Sequence, residues 1–233
     1  MKISIIIPVY NEVQTVGQTV ARACRALLPE GVDREILVVD DGSTDGTRAI
    51  LWEFRDAPVV RILSLGKNSG KTRALLTGID AAEGDFLIFQ DADLEYDPAH
   101  YGRLLTPVIE GRASIVFGSR FLGSIRNMNF LVRMANQLNT WIVNVLYRTS
   151  LTDVNTGFKV IPREFFRDVR ITSGGFGGDA EITARLLRMR QKIVEVPIDY
   201  TARSRIDGKK MNWLNAVHMF GCFFFYRLDH ARS

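Results

Sequence analysis

Short runs of apolar, largely β-branched residues recur through the first half of the chain, at Ile3–Val9, Glu35–Val39, Val59–Leu65, Phe86–Phe89 and Ser114–Phe117. Between them lie stretches whose apolar positions recur every three or four residues: Val13–Leu28, Thr47–Phe54, Lys71–Ala82 and Ala99–Glu110. The first pattern predicts strands and the second amphipathic helices. Strand and helix alternate with short connections, which predicts an α/β fold with a mostly parallel, doubly wound sheet flanked by helices. The strands are continuously apolar, as strands covered on both faces are. The second half is less regular. Thr156–Ile161 and Ile193–Ile198 read as further strands, and Asn127–Tyr147 and Asp179–Arg190 as helices. Thr201–Lys210 reads as a basic loop and Met211–Leu228 as a final helix. On this reading residues 1–210 form one domain, and 211–233 are an amphipathic helix that belongs to it.

Composition narrows the class. A chain of 233 residues with 46% hydrophobic and 24% charged residues can bury a core and is neither a disordered tail nor a fibrous repeat. Two cysteines, Cys24 and Cys222, exclude a disulfide scaffold and fit a reducing compartment. The histidines at 100, 218 and 230 share no ligand spacing, which argues against a zinc site. The first apolar run is short and interrupted by Pro8, so it reads as a strand and not as a secretory signal. The longest uncharged run, Met211 to Tyr226, falls short of the roughly 18 residues a membrane-crossing helix needs. The net charge of +4 arises beyond residue 200, where Arg203, Arg205, Lys209, Lys210, Arg227 and Arg232 face only Asp207 and Asp229. That segment attracts anions.

Ligands of doubly wound sheets bind beyond the carboxyl ends of the strands. Three such ends carry polar clusters here: Pro8-Val-Tyr10-Asn-Glu12, Asp40-Asp41-Gly-Ser43-Thr-Asp45 and Asp91-Ala92-Asp93-Leu-Glu95. Carboxylates repel a phosphate, but they hold a divalent cation that in turn holds a diphosphate. Oxygen ligands at this density suit Mg²⁺ or Mn²⁺. Alternation along an extended segment lets Asp91, Asp93 and Glu95 converge. The competing structural roles are a solvated acidic loop, a helix cap at Asp97-Pro98 and a cap at Asp45.

These clusters, with Asn68-Ser-Gly70-Lys71, Gly118-Ser-Arg120, Thr152-Asp153, Thr156-Gly-Phe-Lys159, Glu195-Val-Pro197 and the Arg203 to Met211 segment, resemble the motif series of family 2 glycosyltransferases with the GT-A (Rossmann-like) fold. The set is similar to the polyprenyl-phosphate sugar transferases of the dolichyl-phosphate mannose synthase type, over nearly the whole chain. The resemblance implies an enzyme that moves a hexose, mannose or glucose, from GDP-mannose or UDP-glucose to a dolichyl or undecaprenyl phosphate, with inversion. It implies that Pro8, Tyr10, Glu12, Val39 and Asp41 hold the base and ribose, that Asp91, Ala92 and Asp93 meet the diphosphate, and that Asp93 and Glu95 ligate the metal. Arg120, Arg203 and Lys209 or Lys210 would meet phosphates. Two departures stand out: Glu95 occupies a position often held by glutamine, and the spacing within the basic loop is its own.

A lipid phosphate is already ionised, so it needs no general base; a sugar hydroxyl acceptor would, and Asp179 is the candidate. Asp93, Asp179 and Arg203 are thus the expected catalytic residues. Met211–Tyr226 leaves only a narrow polar stripe and has basic flanks, which predicts a helix lying in the membrane interface, with Asn127–Tyr147 as its partner and the protein peripheral on the cytoplasmic face. Nucleic acid is not an expected partner. Rival readings are transfer to a sugar hydroxyl, a non-catalytic nucleotide-sugar-binding membrane protein, and a nucleoside triphosphatase built on Gly66-Lys-Asn-Ser-Gly70-Lys71-Thr72. The last has three residues between its glycines where a phosphate loop needs four.

Overall fold

A computed structural model describes residues 1–175, 177–203 and 221–227. In chain order the elements are β1 (Lys2–Val9), α1 (Val16–Arg25), β2 (Asp33–Asp40), α2 (Thr47–Trp52), β3 (Val60–Ser64), α3 (Lys71–Ala81), β4 (Phe86–Phe89), α4 (Tyr101–Ile109), β5 (Ile115–Ser119), β6 (Ile125–Arg126), α5 (Phe130–Tyr147), β7 (Lys159–Pro162), α6 (Phe165–Asp168), α7 (Gly177–Arg188), β8 (Ile193–Pro197) and β9 (Tyr200–Thr201). Residues 221–227 form a further helical segment. The expected loop over 201–210 and the expected helix over 211–228 lie outside the described residues apart from 201–203 and 221–227.

Seven strands form one sheet in the order β3-β2-β1-β4-β7-β5-β8, and β6 pairs with β9. Alternation along β1 divides the core. Ile3, Ile5 and Ile7 pack with Val16, Val20, Tyr101 and Leu104 on one face, while Ile6 packs with Leu75, Ile79, Ile182 and Leu186 on the other. The sheet is parallel except for β7, which runs antiparallel to both β4 and β5. The reason is the excursion between β5 and β7. The chain leaves the sheet at the carboxyl end of β5, builds β6 and α5, and re-enters at that same end. This return lays residues 151–158 across the rim where ligands bind.

Helix α5 is inverted. Its buried positions are Asn136, Asn139, Thr140 and Val143, whereas Leu131, Met134, Leu138, Trp141 and Val145 stand exposed at helical spacing, Trp141 at 63%. The inward polar side chains are used: Asn139 donates to Asn155, Asn155 to Asn136, and Asn144 both donates to and accepts from Leu151. The helix therefore holds the 151–155 turn by hydrogen bonds and presents its apolar row outward. Among the described residues no helix is long and apolar enough to cross a membrane.

Candidate active site

Strand order reverses between β1 and β4, and a cleft of about 460 Å³ opens at their carboxyl ends. Of the residues expected from sequence, Pro8, Tyr10, Glu12, Asp41, Asp91, Ala92, Asp93, Glu95, Arg120, Asp179 and Arg203 all line it. Val39 does not; it is fully buried in β2 beneath Gly78 of α3. Lys209 and Lys210 lie outside the described residues.

The Asp-Asp-Gly-Ser turn divides its carboxylates. Asp40 accepts the Ser43 N–H at 2.9 Å and Arg48 Nε at 2.7 Å. Asp45 accepts the Thr47 N–H and hydroxyl at the start of α2, but the residue at the cap position is Gly46 and not Asp45 as expected. Asp41 accepts the main-chain N–H groups of Ser69 at 2.7 Å and Gly70 at 2.8 Å. Gly42 has φ +74°, and a Cβ there would stand 2.5 Å from the Lys67 carbonyl carbon, so only glycine lets the two loops meet. Two N–H groups that a phosphate loop would offer to a nucleotide, those of Ser69 and Gly70, are thus turned onto Asp41, which argues against the triphosphatase reading.

The Asp91–Glu95 segment was expected to converge on a metal. Among the described residues, no three acidic, histidine or cysteine side chains form such a group. Each carboxylate has its own surroundings. Asp91 pairs with Lys71 Nζ at 2.6 Å. Glu95 accepts the Tyr200 hydroxyl at 2.5 Å and the Arg203 N–H at 2.8 Å, which ties the strand end to residues 200–203. Asp93 makes no ion pair among the described residues. Burial, then the charges of Asp91 and Glu95, push its carboxyl up to about 7 against the pull of Arg203. A carboxyl crowded by like charge fits a divalent cation, whose charge would relieve the crowding. The remaining ligands would come from water and the bound phosphates, as Mg²⁺ usually arranges them.

Two lysines outside the expected site residues stand at the cleft. Lys71, at the first turn of α3, lies between Asp91 and Asp179, 3.3 Å from the latter. Lys159 is fully buried, donates to the Thr156 carbonyl at 2.7 Å and stands 3.7 Å from Asp179. Negative and positive groups alternate along Asp91, Lys71, Asp179 and Lys159. Burial pushes the Asp179 carboxyl up, but Lys71 and Lys159 outweigh it and hold it below the usual range. Lys71 points to its own role through its place at a helix start beside an Asn-Ser-Gly turn. Lys159 gives no such signal, because an apolar strand with one lysine reads as an edge.

Two arginines complete the walls. Arg203 grips Glu12 (Nη2 to Oε2, 2.6 Å) and reaches the Thr15 hydroxyl at 3.1 Å. Arg120, expected at a phosphate, forks onto the buried Asp153 through Nε at 2.7 Å and Nη2 at 2.8 Å. Its guanidinium lies 5.2 Å from the Tyr200 ring centre. It thereby supports the tyrosine that holds Glu95. Glu195 accepts the N–H groups of Thr152 and Asp153 and fixes the turn that carries this pair.

The chain is similar to known proteins in sequence and in fold. The dolichol-phosphate mannosyltransferase of Pyrococcus furiosus is 29% identical over 214 residues, 90% of this chain and 59% of that protein. The undecaprenyl-phosphate mannosyltransferase of Micrococcus luteus is 31% identical over 220 residues, covering 90% of this chain and 87% of that protein. The chain thus spans less than two thirds of the first relative and most of the second. Glucosyl-3-phosphoglycerate synthase from Mycobacterium tuberculosis, solved with Mn²⁺ and UDP-glucose, superposes with a TM-score of 0.73 over 97% of this chain and 78% of that one, at 20% identity. At that identity the likeness establishes the fold alone. Residues 4–170, from β1 through the Asp91–Glu95 carboxylates and the Asn155 turn into the loop before α7, match Glycosyl transferase family 2, and the chain belongs to that family.

Proposed function

We propose that this glycosyltransferase moves a hexose, mannose or glucose, from GDP-mannose or UDP-glucose to a polyprenyl phosphate, dolichyl or undecaprenyl, at a membrane surface. The observation that carries the reading is the meeting of Asp93 and Arg203 in one cleft. A carboxylate that favours a cation and a fixed guanidinium line the same space, which suits a leaving diphosphate and an incoming phosphate. The relatives named as mannosyltransferases of dolichol and undecaprenyl phosphate support the lipid acceptor.

In the reaction an ionised oxygen of the lipid phosphate attacks the anomeric carbon. A C1–O–P bond to the acceptor forms as the C1–O bond to the nucleoside diphosphate breaks, with inversion and with no proton transferred. Negative charge grows on the departing diphosphate. Mg²⁺ or Mn²⁺, held by Asp93 with Glu95 beside it, would neutralise part of that charge. Lys71 adds a fixed cation at the N-terminal end of α3, where the helix dipole also favours an anion. Pro8, Tyr10, Glu12 and Asp41 form the wall assigned to the nucleoside. Asp179 has little basicity between its two lysines, which favours an already ionised acceptor over a sugar hydroxyl.

Attachment follows from α5. Its exposed row, with Phe224 and Phe225 of the 221–227 segment, is apolar; residues 126–148 contain Arg126, Arg133 and Arg148 and no acidic side chain. That combination suits the surface of an anionic bilayer. The enzyme is then peripheral on the cytoplasmic face of the membrane. The test is incubation with each labelled donor, Mn²⁺ or Mg²⁺ and vesicles carrying undecaprenyl or dolichyl phosphate. Label in the lipid fraction with an inverted anomer is expected; label on a soluble sugar, or a retained anomer, would refute it.

A further inference from the structure

The 221–227 helix bonds to two segments remote from each other in sequence. On one side it is fastened to the C-terminal end of α5: the Tyr147 hydroxyl donates to the Phe223 carbonyl at 2.8 Å and Arg227 Nε donates to the Leu146 carbonyl at 3.1 Å. Phe225 in this helix is 62% exposed, as the apolar row of α5 is. On the other side the Tyr226 hydroxyl lies 2.8 Å from Ser173 Oγ and 3.1 Å from Thr172 Oγ1. The Arg185 guanidinium stacks 5.2 Å from the Tyr226 ring centre. Arg185 pairs with Glu181, whose carboxylate accepts the N–H groups of Thr172 and Ser173 at 2.8 and 2.7 Å.

Two residues further on, the same segment is cleft wall. Gly175 lines the cleft, and its carbonyl accepts both the N–H and the hydroxyl of Thr72, at 3.1 and 2.7 Å. Thr72 is the neighbour of Lys71. A Cβ at Gly174 or Gly175 would meet nothing within 4 Å, so packing does not demand these glycines. Gly175 has φ +58°, a left-handed conformation that glycine takes without strain, between the Tyr226 contact and the cleft.

We infer that Tyr226 is a positioning residue: through Thr172 and Ser173 it links the seating of the apolar α5 face on a lipid surface to the place of Gly175, and hence of Thr72 and Lys71, in the cleft. The lipid surface rests on the function proposed above; the link from Tyr226 to the cleft wall does not. Tyr226 itself lies outside the cleft lining.

The test uses the full chain and Tyr226→Phe, which keeps the ring against Arg185 and removes only the hydroxyl. Amide hydrogen exchange over residues 171–175 is read in solution and with vesicles of phosphatidylcholine and phosphatidylglycerol. Loss of the hydroxyl bonds should speed exchange there by about fivefold in solution. Vesicles should slow exchange in the wild type and not in the variant, while both proteins co-sediment with lipid. Transfer should show kcat lowered about fivefold with the donor KM unchanged. The Thr172→Val/Ser173→Ala variant should act like Tyr226→Phe, and the combination should be no worse than either alone. Equal exchange in wild type and Tyr226→Phe, or additive effects in the combination, would overturn the inference. Absence of vesicle binding by both proteins would instead overturn the lipid surface, and the exchange difference in solution would still decide the link.

Discussion

Removing the carboxylate of Asp153 should damage the protein more than any other single change at the cleft. Asp153 and Arg120 are both buried, with side chains 0% and 5% exposed. Asp153→Ala deletes the acceptor of two guanidinium bonds and of the Arg120 N–H, whose distance to Oδ2 is 3.1 Å. It leaves a desolvated cation. Breaking a buried pair this way costs about 3–5 kcal/mol, a large share of the roughly 5–15 kcal/mol that stabilises a domain. Asp153→Asn keeps the shape and part of the bonding and should lie between the two. Arg120→Met combined with Asp153→Leu removes both charges and should recover most of the loss in stability. It should not recover activity, because Arg120 also backs the Tyr200 ring that holds Glu95. Urea unfolding followed by far-UV circular dichroism measures the effect. A loss below about 1 kcal/mol in Asp153→Ala, or a double variant no better than the single one, would refute the reasoning.

Two further outcomes follow. Glu181 is fully buried; burial pushes its carboxyl up, but the Ser173 N–H, Arg185 and the Thr172 N–H outweigh it and hold the carboxyl below its usual value near 4.5. Its stabilisation is therefore present above the unfolded value and is lost as pH falls through the lower folded one. Glu181→Gln should cost about 2 kcal/mol at neutral pH, and urea unfolding should show the gap to wild type closing below about pH 4. Leu138→Asp and Trp141→Asp lie on the exposed row of α5, so unfolding stability should change by less than about 0.5 kcal/mol. Co-sedimentation with anionic vesicles should weaken at least about tenfold in each, since each side chain would otherwise bury about 1.5–3 kcal/mol of apolar surface.

Much of this is written in the chain, and the exceptions have physical causes. The strands of the first half, and the polar residues at their ends, are legible because continuous apolar runs and strand-end carboxylates are local signals. The reversal of β7 is not, because Thr156–Ile161 reads the same in either direction and only the return path of α5 fixes its sense. The expected convergence of Asp91, Asp93 and Glu95 rested on alternation along one segment. All three line one cleft, and Lys71, Tyr200 and Arg203, remote in sequence, also pair with Asp91 and Glu95, which alternation alone does not show. The sequence predicts Asp41 as a nucleotide-facing residue, and Asp41 also ties down the 69–70 turn, a duty only the tertiary structure shows. The α5 helix was legible as apolar, but which face it buries was not: its asparagines go inward because Asn155 and Leu151 lie there to bond them.

The central claim is that Asp93 grips a cation that neutralises the diphosphate. Titration of Mn²⁺ into the protein, with and without UDP or GDP, tests it directly. The account predicts that a nucleoside diphosphate tightens Mn²⁺ binding at least about tenfold, that Mn²⁺ tightens diphosphate binding by the same factor, and that Asp93→Asn abolishes the effect. Mn²⁺ affinity indifferent to the diphosphate, or the same coupling in Asp93→Asn, would contradict it.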